Sequence, residues 1–518
     1  MKIVKLTLIS SIVSLNLMAV DLATVMSEVA KTNPKVIQKK KEYNSVYETL
    51  KISQGDLFLP SIDLSAGIGK VKTTYDKPNS SDAEYTNKSI TLSATENLFN
   101  GFGTVNDVDA KKAALASSAF SYLQVVNEES LKVSKVYLDL IRHKELLAVE
   151  LDNYKKHRKI LAAVQARSRA GVGVVGDLQE ISAKTNLAYA NYIAESKNLK
   201  ASQISMNKVL GKPLDINSLA IPQVGDNLNY TYSQAIRFAL THNPSIFVQK
   251  YNVIQARYNQ QRDAKEFLPK IDLTIAGKHV DGRDDSLDVD TKYDQVSGGI
   301  NLNWNLFRGF KDTHQKKKNI SLIQVEQEKY NSVKRDLIEE TELAWTTYKM
   351  QDREYKYLKN YVKNAKAKLI TNTKLFQIGK KSLFEFLSSQ TDYNSAKEKL
   401  INTKYDLIFA KLRVLKALGI LSDMANPNIK KEIGVVSDGI HDYQAMNYVA
   451  DTLPVREDHI VETGSVSLND PVSFDSYKVV DTTKNCDIQQ PSSVKVGDSE
   501  YFDEEYVAPR KAVKTYIK

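Results

Sequence analysis

The sequence predicts a mixed α and β membrane protein in which long antiparallel helical hairpins are joined to short, strictly alternating strands. Three observations carry this: an internal duplication, runs of period-two hydropathy, and helical patterns of about 65 residues. The duplication organises the other two. Thr32-Asn33-Pro34 recurs as His242-Asn243-Pro244, Leu59-Pro60-Ser61-Ile62-Asp63-Leu64 as Leu268-Pro269-Lys270-Ile271-Asp272-Leu273, and Asn97-Leu98-Phe99-Asn100-Gly101-Phe102 as Asn305-Leu306-Phe307-Arg308-Gly309-Phe310. The offset falls only from 210 at the first anchor to 208 at the last. One unit over residues 20–213 therefore repeats over 231–425, with a linker at 214–230 and a tail at 426–518 of different character.

The chain begins with a short basic stretch, Met1 to Lys5, and an apolar run from Leu6 to Ala19 broken by Ser10, Ser11, Ser14 and Asn16. This suits a signal peptide at 1–19 better than a membrane span. No Cys follows the run, so no lipid anchor is expected there. No later segment reaches the roughly 18 uninterrupted apolar residues of a transmembrane helix, so entry into a bilayer would be by strands.

Each repeat then opens with a helix, over 22–57 and 231–267, ending at Leu-Pro, where proline disfavours helical geometry in the residue before it. Alternation follows at once. Ile62, Leu64, Ala66 and Ile68 alternate with Ser61, Asp63, Ser65 and Gly67, and Ile90, Leu92 and Ala94 with Ser89, Thr91, Ser93 and Thr95. In the second repeat Ile271, Leu273 and Ile275, then Val296, Ile300, Leu302, Trp304 and Leu306, do the same. Such strands have one face in an apolar medium and one in water, and are long enough for the roughly 9–11 residues of a tilted bilayer crossing. Tyr75, Tyr85, Phe99, Phe102, Tyr293, Phe307 and Phe310 fall near the strand ends, at the level of an aromatic girdle; packing at a strand–helix junction is the other reading of the phenylalanines. Four strands cannot close a barrel, and open edges in lipid leave backbone groups unpaired, so a spanning chain must oligomerise. Eight strands are filled by their own side chains, whereas twelve leave a conduit, which favours three copies over two.

After Gly101 and Gly309 the pattern is helical for about 65 residues, to Gly171 and Gly379, and a second helix of about 40 residues runs back to Gly211 and Gly419. Leu131, Val133, Val136, Tyr137, Leu140 and Ile141, and later Leu337, Ile338, Leu343, Ala344 and Tyr348, recur at three- and four-residue spacing and form a buried stripe.

This succession of helix, Leu-Pro, strand, loop, strand, Asn-Leu-Phe-x-Gly-Phe and long helical hairpin resembles the TolC-type outer-membrane efflux protein family over about residues 20–425. The resemblance implies a homotrimer: a twelve-stranded β-barrel in the outer membrane, continued by a periplasmic tunnel of α-helical hairpins. It also implies an export channel of a tripartite efflux or type I secretion system. Its partners would be a periplasmic adaptor (membrane fusion) protein, an inner-membrane pump or ABC transporter, and outer-membrane lipid. By the same resemblance Ala170, Gly171 and Val172, with Ile378, Gly379 and Lys380, fall on turns that dock the adaptor, and Asp177, Lys381 and Glu385 fall on a periplasmic gate. A lysine among carboxylates can bridge helices in a closed state, and threefold repetition would face three Glu385 side chains toward one another. Solvated helix-end charges are the other reading of these residues. Where the family often carries a second acidic ring, one turn on, this chain has Ser388. A weaker cation-binding constriction or a different cargo would follow.

Other chemistries find little support. Gly171-Val172-Gly173-Val174-Val175-Gly176 fits the dinucleotide pattern literally, but that motif follows a strand, and here a helix precedes it. The acidic loop Asp281 to Asp290 lacks EF-hand spacing, and the seven histidines form no metal or catalytic pattern, so no cofactor and no enzymatic activity are expected. The net charge of +10 suggests nucleic acid, but its distribution does not. The body carries 63 Lys+Arg against 46 Asp+Glu, spread along helices without aromatic platforms, whereas the segment from Lys431 has 9 against 16. With Cys486 alone in the tail, no intramolecular disulfide can form. The tail is expected to be disordered or loosely attached. A periplasmic coiled-coil structural or adaptor protein without a pore remains the alternative; it explains the helices but not four amphipathic strands at equivalent points of a repeat.

Overall fold

A computed structural model of the protein describes residues 21–74, 83–172, 174–222, 224, 228, 230–284, 289, 290 and 292–429. The expected signal peptide at 1–19, Tyr75, residues 285–288 of the acidic loop, and the tail from 430 with Cys486 lie outside these residues. In chain order the first repeat comprises α1 (Leu22–Thr32), α2 (Pro34–Phe58), β1 (Ser61–Thr73), β2 (Ala83–Asn100), α3 (Gly103–Arg169) and α4 (Val175–Leu210). The second comprises α5 (Tyr232–His242), α6 (Pro244–Asp263), a 3-10 turn (Ala264–Phe267), β3 (Lys270–Asp284), the two-residue β4 (Val289–Asp290), β5 (Tyr293–Asn303), α7 (Lys311–Gln377), α8 (Leu383–Ala417) and the short α9 (Leu421–Ala425).

The single opening helix expected in each repeat is two helices. Asn33 and Asn243 each precede a proline and are extended, which ends one helix. Each then caps the next: Asn33 Oδ1 accepts from Lys35 N at 2.8 Å and Asn243 Oδ1 from Ser245 N at 3.0 Å, with proline at the first helical position. The asparagine amides also tie the joints to distant helices, Asn33 Nδ2 donating to Glu129 Oε2 at 3.2 Å and Asn243 Nδ2 to the Ala417 carbonyl at 2.8 Å.

The strands form one antiparallel sheet in the order β1-β2-β3-β5, with β4 against the far end of β3. Its central ladder, β2 with β3, joins the two repeats. The register aligns Leu64, Leu92, Gly277 and Val296 on one face and Asp63, Ser93, Ala276 and Ser297 on the other. β5 ends at Asn303, opposite the first residue of β3, so Trp304 and Leu306 continue the alternation beyond the ladder and are not strand residues. A register shift in β2 between Asn97 and Phe99 sets the exit toward α3.

That exit is unusual and is built twice. Gly101 and Phe102 both take positive φ, +63° and +62°, and so do Gly309 and Phe310, +61° and +59°. Left-handed backbone at a bulky residue is strained and persists only where packing holds it. Phe102 meets Phe99 edge to face at 5.3 Å between ring centroids, and Phe310 meets Phe307 at 5.4 Å.

At 67 residues each, α3 and α7 span about 100 Å at ~1.5 Å per residue. The main core lies where α1, α3, α4, α8 and α9 meet, around the fully buried Met26, Tyr137, Leu138, Leu140, Tyr405, Leu412 and Leu421. The connection between the repeats packs onto it: Tyr137 Oη donates to the Ala220 carbonyl at 2.6 Å and Lys144 Nζ to that of Ile216 at 3.0 Å. Ile429, past the expected start of the tail, is buried in the same core. A second core joins α5, α7 and α8, and a third lies at the hairpin tips.

Candidate functional site

Two surfaces are the candidates for function, the sheet faces and the hairpin tips. On the sheet the apolar residues point away from the protein's own core. Val296 is 85% exposed, Ile68 74% and Leu64 72%, with Ile62, Ile300 and Leu302 likewise open. A contiguous apolar face of this extent marks contact with lipid or another chain. Phe102, Phe307, Phe310 and Tyr293 are exposed near the sheet's two ends, as a girdle requires. The opposite face presents hydroxyl and amide groups, with Asn97 Nδ2 donating to Asp272 Oδ1 at 2.6 Å near the helical end.

The two tips share one geometry. At the first, Ala170 ends α3, Gly171 turns at φ +75°, and the N–H groups of Gly171 and Val172 donate to the carbonyls of Ser168 and Arg167 at 3.0 and 3.2 Å. At the second, Ile378 ends α7, Gly379 turns at φ +75°, and Gly379 and Lys380 donate to Phe376 and Leu375 at 3.0 and 2.9 Å. Both are Schellman turns, in which glycine supplies the left-handed residue and two terminal carbonyls are satisfied. Val172 at 78% and Ile378 at 65% exposure stand out as aliphatic side chains in water, with Val174, Val175 and Phe384 beside them in sequence.

Behind the turns the hairpins lock together. Ile181, Val164, Leu369, Leu383, Phe386 and Leu387 bury one another, Phe376 stacks on Phe386 at 5.0 Å, and Arg167 lies 5.7 Å from the Phe376 ring. Sequence reasoning missed Arg167 and Phe376, although each stands one turn before its tip glycine.

Of the three expected gate residues, two meet. Lys381 Nζ and Glu385 Oε1 are 2.5 Å apart at the start of α8. Glu385 Oε2 also accepts from the N–H and hydroxyl of Ser382, both at 3.1 Å, while Ser382 Oγ accepts from Glu385 N at 3.2 Å, a complete capping box. Lys381, and then the Ser382 N–H, hold the Glu385 carboxyl below its ordinary pKa. Asp177 stands in the first turn of α4, and among the described residues no hydrogen bond or ion pair joins it to Lys381 or Glu385. Within one chain, therefore, the lysine bridges residues of one hairpin and not the two hairpins. Ser388 is exposed, one turn beyond Glu385. Among the described residues no group of acidic, histidine or cysteine side chains is placed to hold a metal ion, and no helix is long and apolar enough to cross a membrane.

The outer membrane efflux protein family model matches twice, over residues 25–212 and 235–420, the two repeats in turn. The chain belongs to that family. Membership places it in the cell outer membrane, among channel and transport proteins. Its curated relatives include the outer membrane efflux protein BepC of Brucella suis, 22% identical over 64% of this chain and 72% of that one. They also include the proteases secretion protein PrtF of Dickeya chrysanthemi, 26% identical over 33% of this chain and 37% of that one. Among solved structures, the Campylobacter jejuni CmeC outer membrane channel superposes with a TM-score of 0.67 at 17% identity, covering 81% of this chain and 90% of that one. The family fold thus extends over both repeats.

Proposed function

We propose that three copies of this chain close a twelve-stranded barrel in the outer membrane, continued through the periplasm by twelve packed helices, and that the assembly is a passive export conduit. The observation that carries this is the sheet: four strands with β1 and β5 at its ends, apolar on one face and hydroxyl-rich on the other. Edges open in lipid are costly, and joining β5 of one copy to β1 of the next would satisfy them while turning the polar face inward. A second line supports this. On α7 Leu343, expected in the buried stripe but 52% exposed, stands seven residues from Met350, and Met350 seven from Tyr357, 77% exposed, the spacing of a helix that packs along a neighbour.

In this reading Asp177, Lys381 and Glu385 form the periplasmic gate across the threefold axis. The exposed turns Ala170-Gly171-Val172 and Ile378-Gly379-Lys380 dock a periplasmic adaptor, through which an inner-membrane pump or ABC transporter supplies energy and selects cargo. The relatives carry both kinds of name, efflux and protease secretion, so the cargo is either small toxic compounds or a secreted protein. A pore-less coiled coil would have no use for the amphipathic sheet.

Purified in detergent, the full chain is expected to run as a trimer and to give discrete conductance steps in planar bilayers. A stable detergent-free monomer would refute the barrel. A strain lacking the chain then separates the cargoes: hypersensitivity to drugs with normal secretion assigns efflux, and loss of one secreted protein with normal tolerance assigns secretion.

A further inference from the structure

Helices α3 and α8 come from different repeats and run antiparallel, joined by matched polar rungs. Arg142 donates to Asp406 at 2.5 Å, Lys404 and Tyr405 both donate to Glu145 Oε2 at 3.0 and 2.7 Å, and Asn394 Nδ2 donates to Asn153 Oδ1 at 2.5 Å. Every one of these rungs sets a donor against an acceptor. The rung between Glu145 and Asn153 does not: the antiparallel register that pairs Arg142 with Asp406 and Asn153 with Asn394 brings Glu150 of α3 opposite Glu398 of α8, carboxyl against carboxyl. Glu150 is only 7% exposed, and its Oε2 is buried without a hydrogen-bond partner. The other charge acting on Glu398 is also negative, that of Glu195 on α4, which is itself engaged by His143 Nδ1 of α3 at 2.6 Å. On the α7 side Lys399, next to Glu398 in the chain, is turned to Glu354 at 4.0 Å.

Two desolvated carboxylates in contact repel, whereas one proton between them converts one into a donor and completes the rung. We propose that Glu150 and Glu398 form a proton-operated latch between the two helical hairpins, closed while a proton bridges the carboxyls and released when it leaves. The occupant is a proton: the unsatisfied Glu150 oxygen needs a donor, and the group is not arranged to hold a metal. Burial first, and then Glu150, push the Glu398 carboxyl up to about 7. An acid raised in the fold keeps its proton where the unfolded chain has lost it. Its contribution is therefore complete below the ordinary carboxylate pKa and is lost as pH rises through about 7.

The test uses the full chain in detergent, with spin labels at Lys155→Cys on α3 and Ser395→Cys on α8 in a Cys486→Ser background. Label distance and Tm are read at about pH 5.5 and about pH 8.5, on either side of the transition. The expected result is a longer, broader distance and a Tm lower by roughly 5 °C at the higher pH. Glu398→Gln and Glu150→Gln, whose amides donate to the remaining carboxyl at any pH, are expected to keep the short distance and a flat Tm. Should one variant fail to fold, the other carries the same comparison. A wild-type distance that does not move with pH, or one that moves equally in the glutamine variant, overturns the latch.

Discussion

The Arg167 guanidinium lies over the Phe376 ring, 5.7 Å from its centroid, and so ties the end of one helical hairpin to the end of the other. Phe376 is in turn stacked on Phe386, so the contact continues into the buried tip core. Replacing Arg167 by Ala is expected to cost about 0.5–1 kcal/mol, the worth of an exposed cation–π contact. A double-mutant cycle of Arg167→Ala with Phe376→Leu, read by thermal unfolding, checks it: additive effects would mean that the two side chains do not interact.

Glu385 serves both as a helix cap and as the acceptor of Lys381, and the two roles separate by mutation. Lys381→Ala and Glu385→Ala are expected to raise single-channel conductance, because each removes the ion pair at the proposed gate. Glu385→Gln removes the charge but keeps the capping-box acceptor, so it should open the channel with little effect on α8. Conductance unchanged in all three would leave these residues as surface charges.

The same pair gives an acid response of definite sign. The folded Glu385 carboxyl titrates below its ordinary value, so its contribution is present above the unfolded pKa and lost as pH falls through the lower folded one. Acidification below the ordinary carboxylate range should therefore raise conductance in the wild type. Lys381→Ala should already be open at neutral pH and show a smaller acid step.

Left-handed glycines of nearly equal φ should differ sharply in what they tolerate. A Cβ at Gly419 would meet Asn243 Cα at 2.7 Å and the His242 carbonyl at 2.9 Å, backbone that cannot move aside without breaking the α5–α6 joint. At Gly171 and Gly379 nothing lies within 4 Å. Gly171→Ala and Gly379→Ala are expected to cost only the backbone penalty of about 1–2 kcal/mol, whereas Gly419→Ala should sharply reduce folded protein. Comparable yields and melting temperatures for all three would contradict the packing at the joint.

On the sheet, the two faces predict opposite tolerance to charge. Leu64→Arg on the apolar face is expected to destabilise the inserted protein by about 2–4 kcal/mol, as at a bilayer midplane. Ser93→Arg, one residue along β2 from Leu92 on the polar face, should be mild for insertion and alter ion selectivity instead. Folding into liposomes, followed by the shift of heat-treated and untreated protein on gels, distinguishes them.

Much of this was legible because the signals are local and repeated. Alternation from Ile62 to Ile68 and the tip glycines Gly171 and Gly379 specify strands and turns wherever they occur, and the four-residue spacing of Lys381 and Glu385 brings them together across the N-cap of α8. The break at Asn33 was hidden because apolar spacing continues on both sides of it, from Val25, Met26 and Val29 to Val36. What decides it is the proline that follows and the asparagine amide that caps the next helix. The α3–α8 rungs could not be read at all. Arg142 and Asp406 are 264 residues apart, and no periodicity within either helix names its partner. For the same reason Asp177 could be matched with Lys381 and Glu385 only by analogy, and within one chain it stands apart from them.

The central β2–β3 ladder also imposes an order on how the protein is made. Its partners, such as Asn97 and Asp272, are 175 residues apart, so β2 must wait while the whole first helical hairpin and the linker are synthesised. Until β3 reaches it, β2 has only β1 to pair with, and a two-stranded ribbon is marginal by itself, with an oily face and an open edge. The strand it awaits resembles the one already present, since β1 and β3 follow the same Leu-Pro signature. A second copy of the chain with its own β3 therefore offers β2 a wrong partner of the same signature until its own β3 is in place. The duplication that makes the architecture economical thus makes its biogenesis depend on keeping half-finished copies apart.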